Sequence, residues 1–260
     1  MTNLFDLTGR TAVVTGSAQG VGRAMAIALA EAGADLILLD RNEAGNEAAA
    51  HSIRQLGRKA LPIAGDVTDC DHIDRVFATV DREFGRVDIL GNVAGEARVG
   101  AAEEMALTDI RTTFHNLVIS RYYTCQLAGR RMLAQGKGSI MSIGSIAGVS
   151  SLGRAQSVYG MAMAAVIQMT RELSNEWAGR SVRAGELHPA ARRCQCLVRR
   201  ETTPPSASSR HQSEFPWGDQ RAVRRGSLIR LLLVALPTPC RRGSALNPDP
   251  ATSAASAWVG

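Results

Sequence analysis

The chain has 260 residues, of which 45% are hydrophobic, and its formal net charge is +6 at pH 7. This size suits one large domain or two small ones, with enough apolar residues for a packed core. No stretch approaches the roughly 18 apolar residues of a membrane-spanning helix, and the polar start MTNLFDLTGR is unlike a signal peptide. These features argue against a membrane protein and against an exported one.

The charge is divided unevenly along the chain. Residues 1–190 carry 19 basic and 20 acidic side chains, whereas residues 191–260 carry 11 arginines and 4 acidic side chains. The nearly neutral main body gives no electrostatic reason to expect nucleic acid or a membrane surface as a partner. A tail that binds nucleic acid is the weaker alternative, because its basic runs come with no aromatic stacking platform.

The first 190 residues alternate strand-like and helix-like runs. Continuous apolar runs such as DLILLD and VDILGNVAG are typical of strands buried on both faces. The other strand-like runs are TAVVTG, KALPIAGDV, GSIMSIGS and VRAGELHP, and the runs between them include two long helices at about Thr108–Gln135 and Ser157–Ala178. This pattern predicts an α/β fold, a three-layer doubly wound parallel sheet of the Rossmann-like kind.

Residues 191–260 have a different composition, rich in arginine, proline and serine, with little periodicity. Such a composition is typical of a segment that is disordered or poorly specified. Only SLIRLLLVAL has the apolar pattern of a buried element. We therefore predict a domain boundary near residue 190.

The five cysteines stand at positions 70, 125, 194, 196 and 240 and show no metal-ligand spacing. Cys194 and Cys196 form a close pair without a second pair of ligands. We therefore expect reduced thiols in a cytoplasmic protein and no metal site.

A glycine-rich junction follows the first strand. In VVTGSAQGVGRAMA, Gly16, Gly20 and Gly22 come after a predicted strand and open a predicted helix. Glycines let the backbone approach a pyrophosphate closely, and the helix N-terminus favours its negative charge. The junction therefore predicts a dinucleotide site in residues 1–190 rather than an ordinary structural turn.

The second strand ends in Asp40, 18 residues after Gly22. A carboxylate at this place can accept hydrogen bonds from an adenosine ribose and repel a 2′-phosphate, which favours NAD over NADP. The neighbouring Arg41 can accommodate that phosphate, so NADP stays an alternative. The other interpretation of Asp40 is the N-cap of the next helix.

Further motifs follow in order: GDVTD, GNVAG, GSIMSIGSIAG and, 14 residues after Ser145, Tyr159. Together with TGSAQGVG they resemble the short-chain dehydrogenase/reductase family over about residues 7–189. TGSAQGVG is similar to its T-G-x-x-x-G-x-G turn, GDVTD to its adenine-side segment, and GNVAG to its N-N-A-G motif, with Val93 in place of an asparagine. GSIMSIGSIAG resembles the strand that carries the catalytic serine, here Ser145.

The resemblance implies an oxidoreductase that moves a hydride between nicotinamide and the alcohol or carbonyl carbon of a polyol, sugar acid or hydroxyacyl substrate. It implies that Tyr159 exchanges the proton of the substrate oxygen and that Ser145 holds this oxygen by hydrogen bonding. Relatives usually pair through the two long helices, so the resemblance allows a homo-oligomer and leaves the oligomeric state open. The predicted cofactor-binding residues are Gly16, Ser17, Gln19, Gly20, Val21, Gly22, Asp40, Arg41, Asp66, Val67, Asn92, Ala94, Gly95 and Tyr159.

One departure from the family pattern concerns the lysine expected one turn after the tyrosine. Met163 stands there and supplies no charge. A cation within about 4–6 Å typically lowers the pKa of an acid by about 1–3 units, so its loss predicts a tyrosinate fraction roughly 10- to 1000-fold smaller near neutral pH. The alternative expectation is a catalytically impaired relative that still binds dinucleotide, with Met163 packed in the core.

A second departure lies in the first long helix, where the asparagine of the family falls on Leu117, one position after Asn116. One position turns an α-helical side chain by about 100°. Asn116 is therefore either the catalytic asparagine or an ordinary polar helix residue. Beyond Val182 the resemblance fades, because Gly185 and Ala190 stand where the family has asparagine and glycine. A shift of the reading frame near codon 190 is our hypothesis for residues 191–260.

Overall fold

A computed structural model describes residues 5–188 of the chain. Its six strands are β1 Thr11–Thr15, β2 Asp35–Asp40, β3 Ala60–Ala64, β4 Ile89–Asn92, β5 Gly138–Ile143 and β6 Val182–Leu187. They pair in parallel in one sheet, in the order β3-β2-β1-β4-β5-β6. The predicted doubly wound α/β fold is confirmed.

Helices connect the strands and cover both faces of the sheet. They are α1 Gly20–Glu31, α2 Glu43–Gln55, α3 Cys70–Phe84, α4 Leu107–Phe114, α5 Ser120–Gln135 and α6 Ser157–Ala178, with 3-10 turns at Ala102–Glu104 and Ile146–Gly148. In α3, the predicted apolar residues Ile73, Val76, Phe77 and Val80 are all buried. Gly85 ends this helix in the left-handed conformation that glycine adopts easily.

The core is divided by the sheet into two clusters. Neighbouring strand residues point to opposite faces, so Val13 packs in one cluster and Val14 in the other. Helices α1 and α2 cover the face of Val14, whereas α3, α5 and α6 cover the face of Val13. Because both faces are covered, the strands carry the continuous apolar runs seen in the sequence.

The strand order reverses at β1, which pairs with β2 on one side and with β4 on the other. In open α/β sheets, ligands bind at the carboxyl ends of the strands next to such a reversal. The hydroxyl oxygen of Thr15, at the end of β1, accepts hydrogen bonds from the backbone N–H groups of Val93 at 3.0 Å and Ala94 at 3.1 Å. The loop after β4 is thereby held beside the turn after β1.

The first long helix is interrupted, which the sequence did not predict. A π-helical stretch, His115–Ile119, separates α4 from α5. Within it, the Ser120 hydroxyl donates a hydrogen bond of 2.6 Å to the carbonyl oxygen of Asn116. The wider π turn breaks the α-helical spacing, so the α-helical step assumed between Asn116 and Leu117 does not apply there.

The predictions for residues 189–260 lie outside the described residues. They include the domain boundary near residue 190, the frame shift, three of the cysteines and the apolar run SLIRLLLVAL. Within residues 5–188, no helix is long and apolar enough to cross a bilayer. The same residues contain no cluster of three or more His, Cys, Asp or Glu side chains that could hold a metal ion.

Candidate active site

The turn between β1 and α1 needs glycine at two of its positions. Gly16 has a φ of 71°, and a Cβ atom added to it would lie 3.0 Å from the backbone nitrogen of Ala94. A Cβ atom added to Gly22 would overlap the carbonyl oxygen of Gly16. Gly16 and Gly22 therefore allow α1, the turn and the β4 loop to pack closely together.

The amino end of α1 opens onto this turn. Gln19 is the N-cap residue, but its side chain makes no capping hydrogen bond, and the first turn of the helix has no acidic residue. Gln19 and Gly20 are exposed and Val21 is partly buried. The first N–H groups of a helix lack partners within the helix and carry a partial positive charge, so this end suits a pyrophosphate.

The hydroxyl of Ser17 points away from the exposed side of the turn. It donates a hydrogen bond of 2.7 Å to Oδ1 of Asn46 in α2, and both side chains are fully buried. The Asn46 amide in turn donates to the carbonyl oxygens of Leu38 and Ile63. Ser17 is thus an anchor between the turn and α2, and its backbone remains the part that can face a cofactor. Sequence reasoning missed Asn46, because one asparagine in a polar helix gives no signal.

Asp40 lies at the carboxyl end of β2, next to the glycine turn. Its Oδ2 accepts a hydrogen bond of 3.0 Å from the Ala18 backbone N–H, and its Oδ1 accepts one of 2.9 Å from that of Asn42. The N-cap of α2 is Asn42, whose side chain accepts from the Gly45 N–H. The alternative of Asp40 as the helix cap is therefore wrong, and its carboxylate lies where an adenosine ribose was expected.

Arg41 links the loops that follow β2, β3 and β4. Its guanidinium lies 3.4 Å from Oδ2 of Asp66 and 3.2 Å from Oε2 of Glu96. The hydrogen bond to Glu96 raises the pKa of Arg41 most, and burial opposes it. Arg41 is therefore paired with two carboxylates, Asp66 and Glu96. Glu96 was missed by the sequence analysis, because it belongs to no motif.

Asp66 is fixed by its own loop as well. Its Oδ1 accepts hydrogen bonds from the backbone N–H and the hydroxyl of Thr68, at 2.9 and 2.8 Å. Burial alone would raise the pKa of Asp66, but the Thr68 hydrogen bonds and Arg41 outweigh it and lower that pKa. Asp66 is thus ionised at neutral pH, and the adjacent Val67 packs against the larger core cluster. Both residues stand at the carboxyl end of β3, on the predicted adenine side.

The N-V-A-G segment joins the sheet to α5. The Asn92 side chain is buried, and its amide donates to the carbonyl oxygen of Arg121 at 2.9 Å and to Sγ of Cys125 at 3.3 Å. Gly95 has a φ of 142°, and a Cβ atom added to it would lie 2.6 Å from Cδ2 of Leu117. Asn92 therefore holds the segment from within, and Gly95 lets it pack closely against Leu117.

Two glycines allow the turn after Ser145 to approach the helix of Tyr159. Ser145 caps the 3-10 turn Ile146–Gly148, its Oγ accepting from the Ala147 N–H at 3.2 Å. A Cβ atom added to Gly160 would lie 3.0 Å from the Ala147 carbonyl oxygen, and one added to Gly148 would lie 2.7 Å from backbone atoms of α6. The 3-10 turn that follows Ser145 therefore packs closely against the first half of α6, the helix that carries Tyr159.

Met163 and Asn116, the two departures, differ in their surroundings. Met163 is 2% exposed and packs in the larger core cluster, together with Ala162 and Val166. Asn116 is partly buried in the π-helical stretch, and Leu117, the aligned position, is a buried core residue beside Gly95. An apolar side chain therefore occupies the position of the family's lysine. Asn116 stands one residue before Leu117, the position that aligns with the family's asparagine.

Sequence reasoning also missed Arg121 in α5. This side chain is 2% exposed and bonds to backbone carbonyl oxygens at the ends of β4 and β5. An arginine in the run SRYYTCQ gives no sign that it is buried, because a lone charge on a helix usually faces solvent. Its partners, the carbonyl oxygens of Val93, Ala94 and Ile143, emerge only from the packing of α5 against the sheet.

Comparison with known proteins assigns the fold and the motifs to one family. The sequence profile described as "short chain dehydrogenase" matches residues 10–203. The chain belongs to the short-chain dehydrogenase family. This membership makes the protein an oxidoreductase by class, and it agrees with the order of motifs between the glycine turn and Tyr159.

Individual relatives of this short-chain dehydrogenase include two polyol enzymes. D-threitol dehydrogenase from Mycolicibacterium smegmatis is 36% identical over 185 residues, which are 71% of each chain. Galactitol 2-dehydrogenase (L-tagatose-forming) from Cereibacter sphaeroides is 38% identical over 189 residues, 72% of each chain. The solved structure of a 7α-hydroxysteroid dehydrogenase complexed with NADH and a 7-oxo bile acid superposes with a TM-score of 0.68 at 27% identity, covering 71% of this chain and 72% of that one.

Proposed function

We propose that this short-chain dehydrogenase transfers a hydride between NAD(H) and the alcohol or carbonyl carbon of a polyol, sugar acid or hydroxyacyl substrate. The observation that supports the proposal is the close packing of the 3-10 turn that follows Ser145, after the carboxyl end of β5, against α6, the helix of Tyr159. The glycine turn, Asp40 and the N-V-A-G segment stand at the carboxyl ends of β1, β2 and β4, the edge of an open α/β sheet at which an extended ligand binds.

The protein groups would divide the chemistry in a simple way. When bound, the nicotinamide supplies the acceptor or donor of the hydride. In the oxidation direction, Tyr159 as tyrosinate takes the hydroxyl proton of the substrate, and the Ser145 hydroxyl holds the substrate oxygen. Gly16, Gln19, Gly20 and their neighbours in the turn would hold the pyrophosphate through backbone N–H groups.

For the cofactor, we propose a preference for NAD over NADP. The loops at the carboxyl ends of β2, β3 and β4 carry the carboxylates of Asp40, Asp66 and Glu96. The cation Arg41 pairs with the last two. A 2′-phosphate would add about two negative charges to this group, and Arg41 would have to leave both carboxylate partners to meet it. Fluorescence titration of the purified protein with NADH and NADPH tests the preference, and equal affinities would contradict it.

For the substrate, we propose the polyol class first, because the relatives named above act on threitol and galactitol. The test is the rate of NADH formation with a panel that contains D-threitol, galactitol, a sugar acid and a hydroxyacyl thioester. Activity on the polyols above the other classes is the expected result. Oxidation of the hydroxyacyl compound alone would move the proposal to that class.

A second candidate function is favoured by one observation, the apolar burial of Met163 at the lysine position. It is a relative that binds dinucleotide but turns over slowly or not at all. NADH binding without turnover on the whole panel would favour this candidate. Turnover at an ordinary rate would remove it.

The assembly and the terminal segment also stay proposals. We propose a homo-oligomer paired through α4–α5 and α6, and a cytoplasmic location in line with the thiols. The domain boundary at residue 190 and the frame shift are tested by resequencing the gene. A clean reading frame, with the same codons in close relatives, would defeat the frame-shift hypothesis.

A further inference from the structure

Strands β5 and β6 end side by side, next to Ser145. At this end the Gly144 N–H donates a hydrogen bond of 2.9 Å to the Leu187 carbonyl oxygen. The imidazole of His188 lies directly against Gly144. A Cβ atom added to Gly144 would lie 2.5 Å from Cδ2 and 2.6 Å from Nε2 of this ring. The ring of His188 thus occupies the space that a side chain at position 144 would need.

This contact explains the glycine at position 144 better than the backbone does. Gly144 has no positive φ, so other residues could adopt its backbone conformation. Gly144 is joined directly to Ser145, and consecutive Cα atoms are only about 3.8 Å apart. A shift of Gly144 away from or toward the His188 ring therefore moves Ser145 as well.

The imidazole of His188 is a poor choice for packing alone. Its Nε2 atom and Oε2 of Glu186 are both buried and make no hydrogen bond within the described part of the chain. One ion-pair contact of 3.7 Å joins His188 Nε2 to Glu186 Oε1. Buried polar atoms without hydrogen bonds are costly, so packing would favour an apolar side chain here. The ring is instead a rigid group set between Glu186 and Gly144.

The chain is held on both sides of Ser145. After it, the 3-10 turn Ile146–Gly148 packs closely against α6. Before it, Gly144 is held by its hydrogen bond to β6 and by the ring of His188. The position of the Ser145 hydroxyl thus depends on β6 as well as on α6.

We propose that His188 is a positioning residue for Ser145 and acts through the contact between its imidazole and Gly144. The proposal rests on the proposed function, in which the Ser145 hydroxyl holds the substrate oxygen. His188 exchanges no proton in this scheme. Misplacing a catalytic group by about 1 Å can cost about 100-fold in rate, so a ring that sets the position of Gly144 can control turnover without touching the substrate.

The competing explanation is that His188 only packs the end of β6. Both explanations allow His188→Ala to lower the free energy of unfolding, so stability does not separate them. A matched control is His72 in α3, whose Nε2 is also buried without a hydrogen bond and whose ring occupies the side-chain space of Gly65. Gly65 follows β3, and Ser145 follows β5.

The first experiment compares kcat at saturating NAD in the native chain, His188→Ala, Ser145→Ala and the double variant. We expect His188→Ala to lower kcat about 10- to 100-fold while the KM for NAD changes little. The same substitution should lower kcat much less in the Ser145→Ala background, because the effects of residues that act as a unit are not additive. His72→Ala should keep the native kcat. An equal loss of kcat with and without Ser145 would overturn the proposal.

The second experiment exchanges volume between the two positions. Gly144→Ala in the native chain must displace the ring of His188, so we expect kcat to fall. In Gly144→Ala combined with His188→Ala, the new methyl group enters the space that the ring has left. The kcat of this double variant should exceed that of either single variant. A double variant no faster than the single ones would contradict a role through this contact.

The third experiment needs no turnover. Ser145→Cys places a thiol at position 145, and its rate of labelling relative to the exposed Cys70 of the same chain reports how firmly this position is held. Mass spectrometry of the two peptides measures both rates. We expect added His188→Ala to raise the ratio several-fold and added His72→Ala to leave it unchanged. A ratio that does not respond to His188→Ala would refute the proposal, also in a chain without activity.

Circular dichroism and NADH fluorescence measure folding and cofactor binding in every variant. If His188→Ala does not fold, Gly144→Ala in the otherwise native chain replaces it, because the added methyl group moves the same ring. An unchanged kcat and an unchanged labelling ratio in Gly144→Ala would then overturn the proposal. Loss of NADH binding in the folded native chain would instead refute the proposed function, and the labelling ratio would still decide the role of His188.

Discussion

At the scale of single residues, Asp40 should decide the choice of cofactor. Its carboxylate accepts from the Ala18 N–H beside the glycine turn. Replacing Asp40 by alanine should weaken NADH binding by about 10- to 100-fold, because hydrogen bonds to a charged group contribute about 1.5–3 kcal/mol. NADPH binding should weaken less or improve, since one repulsive charge is gone. Fluorescence titration with both nucleotides measures this.

The control for Asp40 is Asp35, which begins the same strand and accepts from the Lys59 N–H at the opposite end of the sheet. Asp35→Asn should leave the ratio of the NADH and NADPH affinities unchanged. A change in that ratio equal to that of Asp40→Ala would show that strand stability, and not the local carboxylate, sets the preference.

Cys125 and Cys70 should differ sharply in reactivity. Burial raises the pKa of the Cys125 thiol to about 11, although its hydrogen bond from Asn92 opposes this, and Cys70 is exposed. The thiolate is the reactive form. In a chain whose other three cysteines are replaced by serine, a thiol reagent at pH 7 should label the exposed Cys70 quickly. Cys125 should react only when the chain unfolds. Labelling of Cys125 at the rate of Cys70 would contradict the burial of Cys125.

The sequence predicts some of the site residues and not others. It selected Ser145, Tyr159 and the glycines, because their spacing is tied to chemistry. It did not select Arg121, Asn46 or Glu96, because each acquires its role from a partner distant in sequence. Met163 shows the same limit from the other side: the sequence shows that no charge stands there, but only the packing shows that this side chain is buried in the core.

At the scale of elements, the contact between α1 and the glycine turn should be intolerant of added volume. Gly22→Ala places a methyl group against the carbonyl oxygen of Gly16. Overpacking of this kind typically costs about 1–3 kcal/mol in the free energy of unfolding, and the displaced turn should lose NADH affinity as well. The matched control is Gly179→Ala, where a Cβ atom would meet nothing within 4 Å. Equal effects of the two substitutions on urea midpoints and NADH binding would contradict this account.

The amino ends of β1 and β4 are joined by Asp88, which is 5% exposed. Its carboxylate accepts from Nε of Arg86 at 2.6 Å, from the Thr11 N–H at 3.0 Å and from Arg10 at 3.1 Å. Burial would raise the pKa of Asp88, but these hydrogen bonds outweigh it and hold that pKa below its usual range. A carboxyl whose folded pKa is depressed stabilises the fold above its unfolded pKa of about 3.9. That stabilisation is lost as the pH falls through the lower, folded pKa.

Asp88→Asn should therefore reduce the free energy of unfolding at pH 7 by about 1–3 kcal/mol. The difference from the native chain should shrink as the pH falls below about 4, where the native carboxyl also becomes protonated. Urea unfolding at a series of pH values measures this. Asp81→Asn, which breaks the exposed pair with Arg131, serves as the control and should cost less than about 1 kcal/mol. If the difference in unfolding free energy between Asp88→Asn and the native chain grows on acidification, folding does not lower the pKa of Asp88.

The elements themselves were largely predictable. Buried parallel strands carry continuous apolar runs, and glycine or asparagine ends most of the runs, so their order and kind follow from the sequence. The π-helical stretch His115–Ile119 was not predictable in this way, because its residues fit an α-helical pattern equally well. Within it, Leu117 packs against Gly95, a contact between a helix and a distant loop that the sequence pattern does not reveal.

At the scale of the whole molecule, α4–α5 and α6 leave apolar side chains in solvent. Ile119 and Tyr122, three positions apart, are 52% and 48% exposed, and Met161 on α6 is 52% exposed. Large apolar side chains that are exposed together often mark an interface, and a second copy of this chain is the partner that the family resemblance implies. We therefore expect a dimer at micromolar concentration, measured by light scattering after size exclusion.

Ile119→Glu should convert that dimer to a monomer, because a carboxylate buried between two copies would lack a partner. Leu56→Glu is the control. Leu56 is 45% exposed at the end of α2, so this substitution adds the same charge away from α5 and α6. NADH binding should survive in the Ile119→Glu monomer, because the glycine turn and Asp40 lie on β1, α1 and β2, away from α5. A native chain that is monomeric would contradict the predicted dimer. A dimer that resists Ile119→Glu and dissociates with Leu56→Glu would place the interface elsewhere.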